Sequence, residues 1–186
     1  MPASAKSTAI LSALHSGSRE SLDRLVPQLY GELRAIAHRR IARRPDGGTL
    51  ETTGLVHEVY LKLVDQSGVD VRDRAHFLAL ASLAMRHVLV DRAKARGRLK
   101  RGGATGLITF DEERIAVDDQ PEALLQLDDA LSWLASLEPR LARVVECRFF
   151  GGLGESEIAQ ALGVTERTVQ RDWAKARMLL RRALAP

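Results

Sequence analysis

The sequence contains a single cysteine, Cys147, among its 186 residues. One cysteine excludes an internal disulfide, and because it lies near the apolar residues Val144, Val145 and Phe149 we expect it to be a small core residue. The chain also lacks any run close to the ~20 apolar residues that span a bilayer. Its N-terminus lacks the order of charge, apolar segment and cleavage site that marks a signal peptide. These absences predict a soluble protein of the reducing cytoplasm.

Motifs for metal binding and catalysis are absent as well. The histidines, at positions 15, 38, 57, 76 and 87, are scattered, and the chain has no HExxH pair, no CxxC pair and no glycine-rich phosphate loop. We therefore predict neither an enzyme nor a metal or cofactor site. No segment sustains the alternation of apolar and polar residues that marks a strand, which predicts an all-α fold.

Charge is segregated along the chain, although the formal net charge is only +4. The sequence pI is about 9.6. One basic block lies within residues 86–101 and a second within 167–182, and acidic residues predominate between them, within 111–129. Two basic blocks around an acidic connector favour two separate contacts with a polyanion such as nucleic acid.

Residues 154–177, GESEIAQALGVTERTVQRDWAKAR, have the pattern of a helix-turn-helix. Gly163 supplies the left-handed conformation that ends the first helix, and Thr165 is a suitable N-cap for the second. The predicted core side of the second helix carries Thr168, Val169, Trp173, Ala176 and Leu180. Its other side carries four long hydrogen-bond donors, Arg167, Gln170, Arg171 and Lys175. Such donors can reach phosphates and base edges in a major groove, unless the segment is an ordinary hairpin whose charged side faces water.

Helical periodicity predicts four helices in the first hundred residues, beginning with a short one over 7–16. A longer helix over 18–44 contains Pro27, which predicts a kink or a restart. The next helix is built on Leu55, Val56, Val59, Tyr60, Leu63 and Val64. The last spans about 76–96 and is apolar in its first half. Its second half turns basic, with an apolar seam at Val88, Leu89 and Ala95.

Residues 98–121 are rich in glycine and acidic residues and predict a flexible linker. The linker divides the chain into an N-terminal domain, 1–97, and a C-terminal domain, 122–186. The second domain is predicted to begin with a helix built on Leu124, Leu127, Leu131, Leu134 and Leu137. Glu138 and Pro139 then begin a helix that continues to Phe150, with proline at its permitted first position.

Three stretches together resemble one family. LEPRLARVVECRFFGGLGESEIAQALGVTERTVQRDWAKAR, LVHEVYLKL and HFLALASLAMRHVLVDRAKAR are similar to parts of the alternative sigma factors of bacterial RNA polymerase, of the extracytoplasmic-function (ECF) type. The first resembles the domain for the minus-35 promoter element, and the second resembles the helix that docks on the clamp of the largest polymerase subunit. The third resembles the segment that opens and reads the minus-10 element. The likeness covers nearly the whole chain.

The resemblance implies a non-catalytic specificity subunit that directs promoter-specific transcription initiation. Its partners would be the clamp and flap of core polymerase and promoter DNA, with a Ser/Thr protein kinase and an anti-sigma factor as candidate regulators. The implied minus-35 contacts are Arg167, Thr168, Gln170, Arg171 and Lys175. The implied minus-10 contacts are Arg86, His87, Asp91, Arg92 and Lys94, beside the loop 66–74. The implied polymerase contacts are Glu51, Leu55, His57, Glu58 and Lys62, while Leu55, Val59 and Leu63 also pack inside the domain.

Several positions depart from the family pattern. Leu80, Ser82 and His87 stand in the melting helix where the family usually has tryptophan, tyrosine and asparagine, so the minus-10 sequence is not implied. Because the chain ends at Pro186, just after the recognition helix, we also expect no additional C-terminal sensory domain.

The family typically has acidic residues just before the clamp-binding leucine, and here these positions are Glu51, Thr52, Thr53 and Gly54. A phosphate on Thr52 or Thr53 would restore the negative charge, at a helix N-terminus whose dipole favours an anion. Both threonines are therefore candidate phosphorylation sites that would switch activity. The alternative is that one of them is only the helix N-cap.

Two other classes of protein compete with this interpretation. A stand-alone helix-turn-helix regulator would bind an operator without polymerase, but it has no reason to carry LVHEVYLKL. A small recombinase or transposase would need a clustered nucleophile or acidic metal site in residues 1–100. The acidic residues there lie on scattered faces: Asp23, Glu32, Glu58, Asp65 and Asp91.

Overall fold

A computed structural model of the chain describes residues 19–40, 48–65, 71–99 and 121–184. These four ranges contain seven α-helices, one π-helical turn and no strand, so the predicted all-α fold is confirmed for them. The helices are α1 (Arg19–Arg40), α2 (Gly48–Asp65), α3 (Arg74–Leu99), α4 (Pro121–Leu137), α5 (Pro139–Val145), α6 (Glu155–Leu162) and α7 (Glu166–Leu184). The π turn, Glu146–Phe150, continues α5. The predicted helix over 7–16 lies outside the described residues.

Helix α1 is continuous through Pro27, so the predicted restart at this residue is wrong. Pro27 is exposed. The opposite side of α1 buries Leu29, Leu33 and Ile36 against the helices that follow. The helix ends at Arg40, and the rest of the predicted 18–44 span lies outside the described residues.

Helix α2 begins at Gly48, before Thr52 and Thr53, the two residues that the sequence offered as its N-cap. Leu55, Val56, Val59 and Leu63 are buried, as the apolar spacing predicted. The earlier start places residues 52 and 53 inside the helix. Neither threonine can therefore be its N-cap.

Helix α3 has 26 residues, which corresponds to roughly 39 Å at 1.5 Å per residue. Its first half is buried as predicted, with Phe77, Leu78 and Met85 at 1% exposure or less. In its second half Ala95 is exposed, so the predicted seam is wrong at this residue. The buried side continues instead through Val88, Leu89, Val90 and Ala93.

The helices of the second half contribute buried leucines to the core. Leu124, Leu127, Leu131 and Leu134 are buried as predicted, but Leu137 is 54% exposed and lies outside this core. Pro139 is the first residue of α5, at the position predicted for it.

The π turn was not predicted from the sequence. Phe149 and Phe150 are both buried there, and their rings meet edge to face with centroids 4.9 Å apart. Cys147 is buried in the same turn, which confirms its predicted place in the core. Burial, reinforced by the charge of Glu146, raises the pKa of the Cys147 thiol to about 12.

Helix α3 contacts both halves of the chain. It packs against α2 of the first half and against α4, the π turn and α6 of the second half. Buried side chains from 29–93 and from 124–184 thus belong to one continuous apolar cluster. Helix α3 extends to Leu99 and the buried Pro121 begins α4, so both ends of the predicted 98–121 linker are helical. The division into two domains stays a prediction.

None of the helices in the described ranges is long and apolar enough to cross a membrane.

Candidate nucleic-acid interface

The turn between α6 and α7 has the geometry that its sequence predicts. Gly163 adopts φ 66° and ψ 36°, a left-handed conformation that glycine tolerates without strain. Thr165 Oγ1 accepts a hydrogen bond from the backbone N–H of Thr168 at 3.2 Å. Its role as N-cap of α7 is therefore confirmed. At the start of α6, the carboxylate of Glu157 accepts a hydrogen bond from the Gly154 N–H at 3.0 Å.

Helix α7 has a buried side and an exposed side, as predicted. Val169, Trp173, Ala176 and Leu180 are buried. Thr168 is half-buried, and its hydroxyl lies 2.9 Å from that of Thr165, so this side chain takes part in the cap. Its assignment as a DNA contact stays a prediction.

The exposed side of α7 carries Arg167, Gln170, Arg171 and Lys175. Gln170 Nε2 donates a hydrogen bond to Glu155 at 2.7 Å, and the Lys175 ammonium forms an ion pair with Glu138. The guanidinium of Arg171 is the more open group, with 72% of its side chain exposed and Asp172 3.8 Å away. The predicted exposure of these donors is confirmed, and their contact with DNA stays a prediction.

Asp172 is a buried acid that the sequence analysis missed. It is 3% exposed, and its Oδ2 accepts a hydrogen bond from Arg140 Nε at 2.6 Å. This contact, together with the charge of Asp172, raises the pKa of Arg140. The signal was available, because Asp172 follows Val169 by three residues and precedes Ala176 by four, and an acid on the core side requires a cationic partner.

Trp173 lies beneath two guanidinium groups. Arg148 Cζ is 4.8 Å from the ring centroid, and Arg177 Cζ is 5.8 Å from it. Both distances allow cation–π attraction. The Arg148 contact joins the π turn to α7, whereas Arg177 lies on α7 itself.

Arg86 is not presented to solvent, although the sequence predicted it to be a minus-10 contact. It is only 7% exposed. Its guanidinium donates hydrogen bonds to Glu146 Oε1 at 2.6 Å, Asp128 Oδ1 at 2.8 Å and Ser132 Oγ at 3.0 Å. The physical reason is that a buried cation needs anionic partners, and α4 and the π turn supply two of them.

His87, the next residue, is half-buried. Burial lowers the pKa of its imidazole, and the positive charges of Arg86 and Lys62 lower it further. His87 is therefore held in its neutral form more strongly than a free histidine.

The remaining predicted minus-10 residues lie along the seam between α2 and α3. Asp91 pairs with Lys62 at 2.9 Å, and Arg92 donates hydrogen bonds to Glu58 at 2.7 and 3.2 Å. Lys94 is exposed. Two residues predicted to contact DNA are thus joined to two predicted to contact polymerase.

The predicted polymerase-binding residues on α2 divide into two groups. His57 and Glu58 are exposed and Lys62 is half-exposed, as predicted. Leu55 is fully buried, which confirms that it packs inside the fold; its assignment as a polymerase contact stays a prediction. Glu51 lies in α2, and its side chain is outside the described residues.

The two candidate phosphorylation sites differ in accessibility. Thr52 is 1% exposed, whereas Thr53 is exposed. A kinase could not reach Thr52 without local opening of α2, so the prediction for this residue does not fit the folded chain. Arg92 Nη2 lies 3.7 Å from the position that a Cβ on Gly54 would take, which brings a cation to this turn of α2.

The described end of the predicted melting loop contacts α6. Arg72 Nη2 donates a hydrogen bond to the carbonyl of Ala161 at 2.9 Å. The Arg74 guanidinium pairs with Glu32 of α1 and, at 2.9 Å, with Glu157 of α6. These pairs raise the pKa of Arg74. Residues 66–70 of this loop lie outside the described ranges.

Within the described part of the chain, no group of three or more His, Cys, Asp and Glu side chains could hold a metal ion. The exposed donors of α7, opposite a buried face that follows a tight turn, are typical of an all-α protein that binds nucleic acid.

Residues 4–186 match the model of a family described as ECF sigma factor, and the chain therefore belongs to the ECF sigma factors. Such a protein is a non-catalytic subunit of RNA polymerase that binds the core enzyme and promoter DNA and directs transcription initiation. A search among curated proteins gave no match.

Proposed function

We propose that α6, its turn and α7 form a DNA-binding helix-turn-helix and that α7 reads the minus-35 element. The observation that carries the proposal is the exposure of four long donors on the side of α7 opposite its buried side chains. Glu155 and Glu138 hold Gln170 and Lys175 before DNA arrives, and phosphates would replace these carboxylates. Arg171, whose side chain is 72% exposed, is the candidate for bidentate contact with a guanine. Arg167 and Thr168 complete the set.

We assign the clamp contact to the exposed side of α2. His57, Glu58 and Lys62 lie there beside Leu61, an apolar side chain that is 45% exposed. A central apolar residue flanked by charged ones is typical of a protein interface. Leu61 adds an exposed apolar side chain to the predicted contact of Leu55, and Glu51 extends the contact toward the start of α2.

The minus-10 contact is assigned to the second half of α3. His87, Asp91, Arg92 and Lys94 lie close to the proposed clamp contact, and the ion pairs between α2 and α3 couple the two surfaces. Arg86 would join them only after it leaves its buried carboxylates. Because the two DNA-reading units would gain affinity when both are held on polymerase, promoter spacing becomes part of recognition.

The flap contact is assigned to a groove between α4 and the end of α7. Trp133, Ala130 and Leu184 line it, and its volume is about 660 Å³. Trp133 is 42% exposed, and exposed apolar surface of this kind favours a protein partner. An anti-sigma factor that occupied this groove would compete with polymerase.

Phosphorylation of Thr53 is the regulation that we propose. Thr53 is exposed and lies one helical turn before His57. By the resemblance, it stands where the family typically has an acid. A phosphate would add about −1.5 to −2 charges next to the clamp contact. Because Thr53 lies inside α2 and not at its N-terminus, the helix dipole would not attract this phosphate. Basic groups on the polymerase surface would attract it instead.

Co-purification of core polymerase from cytoplasmic extract tests the assignment of this chain as a polymerase subunit. Tagged chain should co-purify with the core subunits, and Glu58→Lys should reduce the recovered polymerase. An operator-binding regulator would instead bind its DNA site with unchanged affinity in the absence of polymerase.

A further inference from the structure

We infer that a cavity lined by the guanidiniums of Arg72 and Arg143 is a binding site for a small organic anion, a short-chain aliphatic carboxylate. The lining comes from α3 and the residues just before it, and from α5, the π turn and α6. It includes none of the side chains that the proposed function assigns to DNA, the clamp or the flap. The inference therefore goes beyond the proposed function and does not depend on it.

The volume of the cavity, about 200 Å³, sets the size of its ligand. Because a water molecule takes about 30 Å³ of liquid, this volume corresponds to about seven non-hydrogen atoms. Nucleotides and other ligands of drug size need cavities of roughly 300–1,000 Å³ and would not fit. A carboxylate with about four or five carbons matches the space.

The mouth of the cavity is cationic. Arg72 is exposed and the side chain of Arg143 is 43% exposed, so both guanidiniums meet solvent. Arg72 donates to the carbonyl of Ala161 and Arg143 donates to Glu146, each through a single guanidinium nitrogen. Since a guanidinium carries five N–H donors, each keeps donors for a further acceptor. None of the described residues that line the cavity is acidic, so an anion would meet positive charge at its mouth.

His76 adds a third donor to the lining. Its Nδ1 accepts a hydrogen bond from the backbone N–H of Arg72 at 3.2 Å, so the proton of the neutral ring is on Nε2. The charged and imidazole side chains of the described lining are thus all hydrogen-bond donors. This chemistry favours an acceptor such as a carboxylate over a cation.

Below the mouth the lining is apolar. Leu80 and Leu162 are half-buried, and Cys147, which is 1% exposed, belongs to the deepest part. Because burial raises the pKa of the Cys147 thiol to about 12, this side chain is uncharged and does not repel an anion. An aliphatic chain that covers the two leucines would gain roughly fourfold in affinity for each methylene buried. The site therefore fits a charged head with a short apolar chain.

Titration of the isotope-labelled full chain with isovalerate, followed by its amide chemical shifts, tests the site. For a ligand of about seven non-hydrogen atoms we expect a Kd on the order of 1 mM. Isoamyl alcohol keeps the chain of this probe without the charge, and acetate keeps the charge without the chain. Both analogues should bind roughly tenfold more weakly or less, because each satisfies one part of the site.

Variants locate the ligand. Ala79→Leu fills the cavity without a change of charge, and Arg143→Gln removes one guanidinium while Glu146 stays paired with Arg86. Arg34→Gln is the matched control, because it removes an exposed arginine of α1 that does not line the cavity. We expect both cavity variants to weaken isovalerate binding by roughly tenfold or more and the control to match the wild type. Helical circular dichroism shows that each variant is folded.

Saturable shifts confined to amides of the cavity lining, lost in both cavity variants, would support the site. Shifts spread over the whole surface, or equal affinity for isovalerate, acetate and isoamyl alcohol, would overturn it. Inorganic phosphate that bound as tightly as isovalerate would overturn the carboxylate assignment, because the apolar lining would then select nothing. Wild-type affinity in folded Ala79→Leu and in Arg143→Gln would place the ligand elsewhere and refute the inference.

Discussion

Glu58 on α2 and Arg92 on α3 are joined by two hydrogen bonds, of 2.7 and 3.2 Å. The first residue belongs to the proposed clamp contact and the second to the proposed minus-10 contact. Polymerase that engages Glu58 would therefore compete for its carboxylate and release the Arg92 guanidinium toward DNA. If both assignments hold, binding of the core enzyme and exposure of a DNA contact are linked through this pair.

Glu58→Lys should weaken binding to core polymerase by roughly tenfold or more, because it reverses the charge of an exposed side chain at the proposed interface. Glu58→Gln should have a smaller effect. Both variants should retain their helical circular dichroism, since Glu58 is exposed. Binding is measured by interferometry with immobilised core enzyme. Loss of helicity in Glu58→Lys would make the position structural and remove the interface assignment.

Arg171→Ala should cost roughly 1–3 kcal/mol of minus-35 binding if the guanidinium reads a base edge, and less if it touches only phosphate. Arg181→Ala is the matched control, because it removes the same charge from an exposed position further along α7. Footprints and the salt dependence of affinity distinguish contact with a base edge from contact with a phosphate. An Arg171→Ala footprint and salt slope identical to those of the wild type would exclude this residue from the interface.

Treatment with a Ser/Thr kinase should add phosphate to Thr53 and increase both core binding and transcription. Thr53→Ala should abolish the increase. Thr52→Ala should leave it intact, because Thr52 is buried. Mass spectrometry locates the phosphate, and transcription assays compare treated with untreated protein. Full activity of the untreated protein and of both alanine variants would show that no such switch exists.

Protein stability should fall as the pH drops through about 6.5 and into the range below it. The pKa of His87 is lowered in the folded state, so the unfolded chain binds more protons at these pH values. This additional proton binding stabilises the unfolded state relative to the folded state. His87→Gln should lose that part of the pH dependence. Urea unfolding at pH 7.5 and 5.5 measures it. Equal changes in midpoint for wild type and variant would mean that His87 does not contribute.

Local patterns predicted those parts of the fold that local physics decides. Gly163 and Thr165 determine the turn before α7 through backbone conformation and capping, and both were identified from sequence. The two sides of α7 follow from apolar spacing alone, because one side must be buried. The buried residues of α2 follow in the same way, although not its start at Gly48, where no strong cap marks the boundary.

Partners that are distant in sequence could not be predicted in this way. Arg86 has the spacing of an exposed basic residue, and only the packing of α4 and the π turn on α3 makes it a buried member of a charge cluster. Leu137 and Ala95 show the opposite error. They fit an apolar pattern, yet both are exposed, because no helix of the described ranges covers them. Helical periodicity gives the face of a residue but not the neighbour that this face meets.

We propose that this chain gives core polymerase a promoter specificity that α7 reads. Run-off transcription on a library of genomic fragments tests it most directly, with core enzyme alone, with the wild-type chain and with Arg171→Ala. We predict transcripts that appear only when the chain is present and whose start sites share an upstream sequence element. The amount of these transcripts should fall with Arg171→Ala. Transcripts of equal number and position in all three reactions would contradict the account.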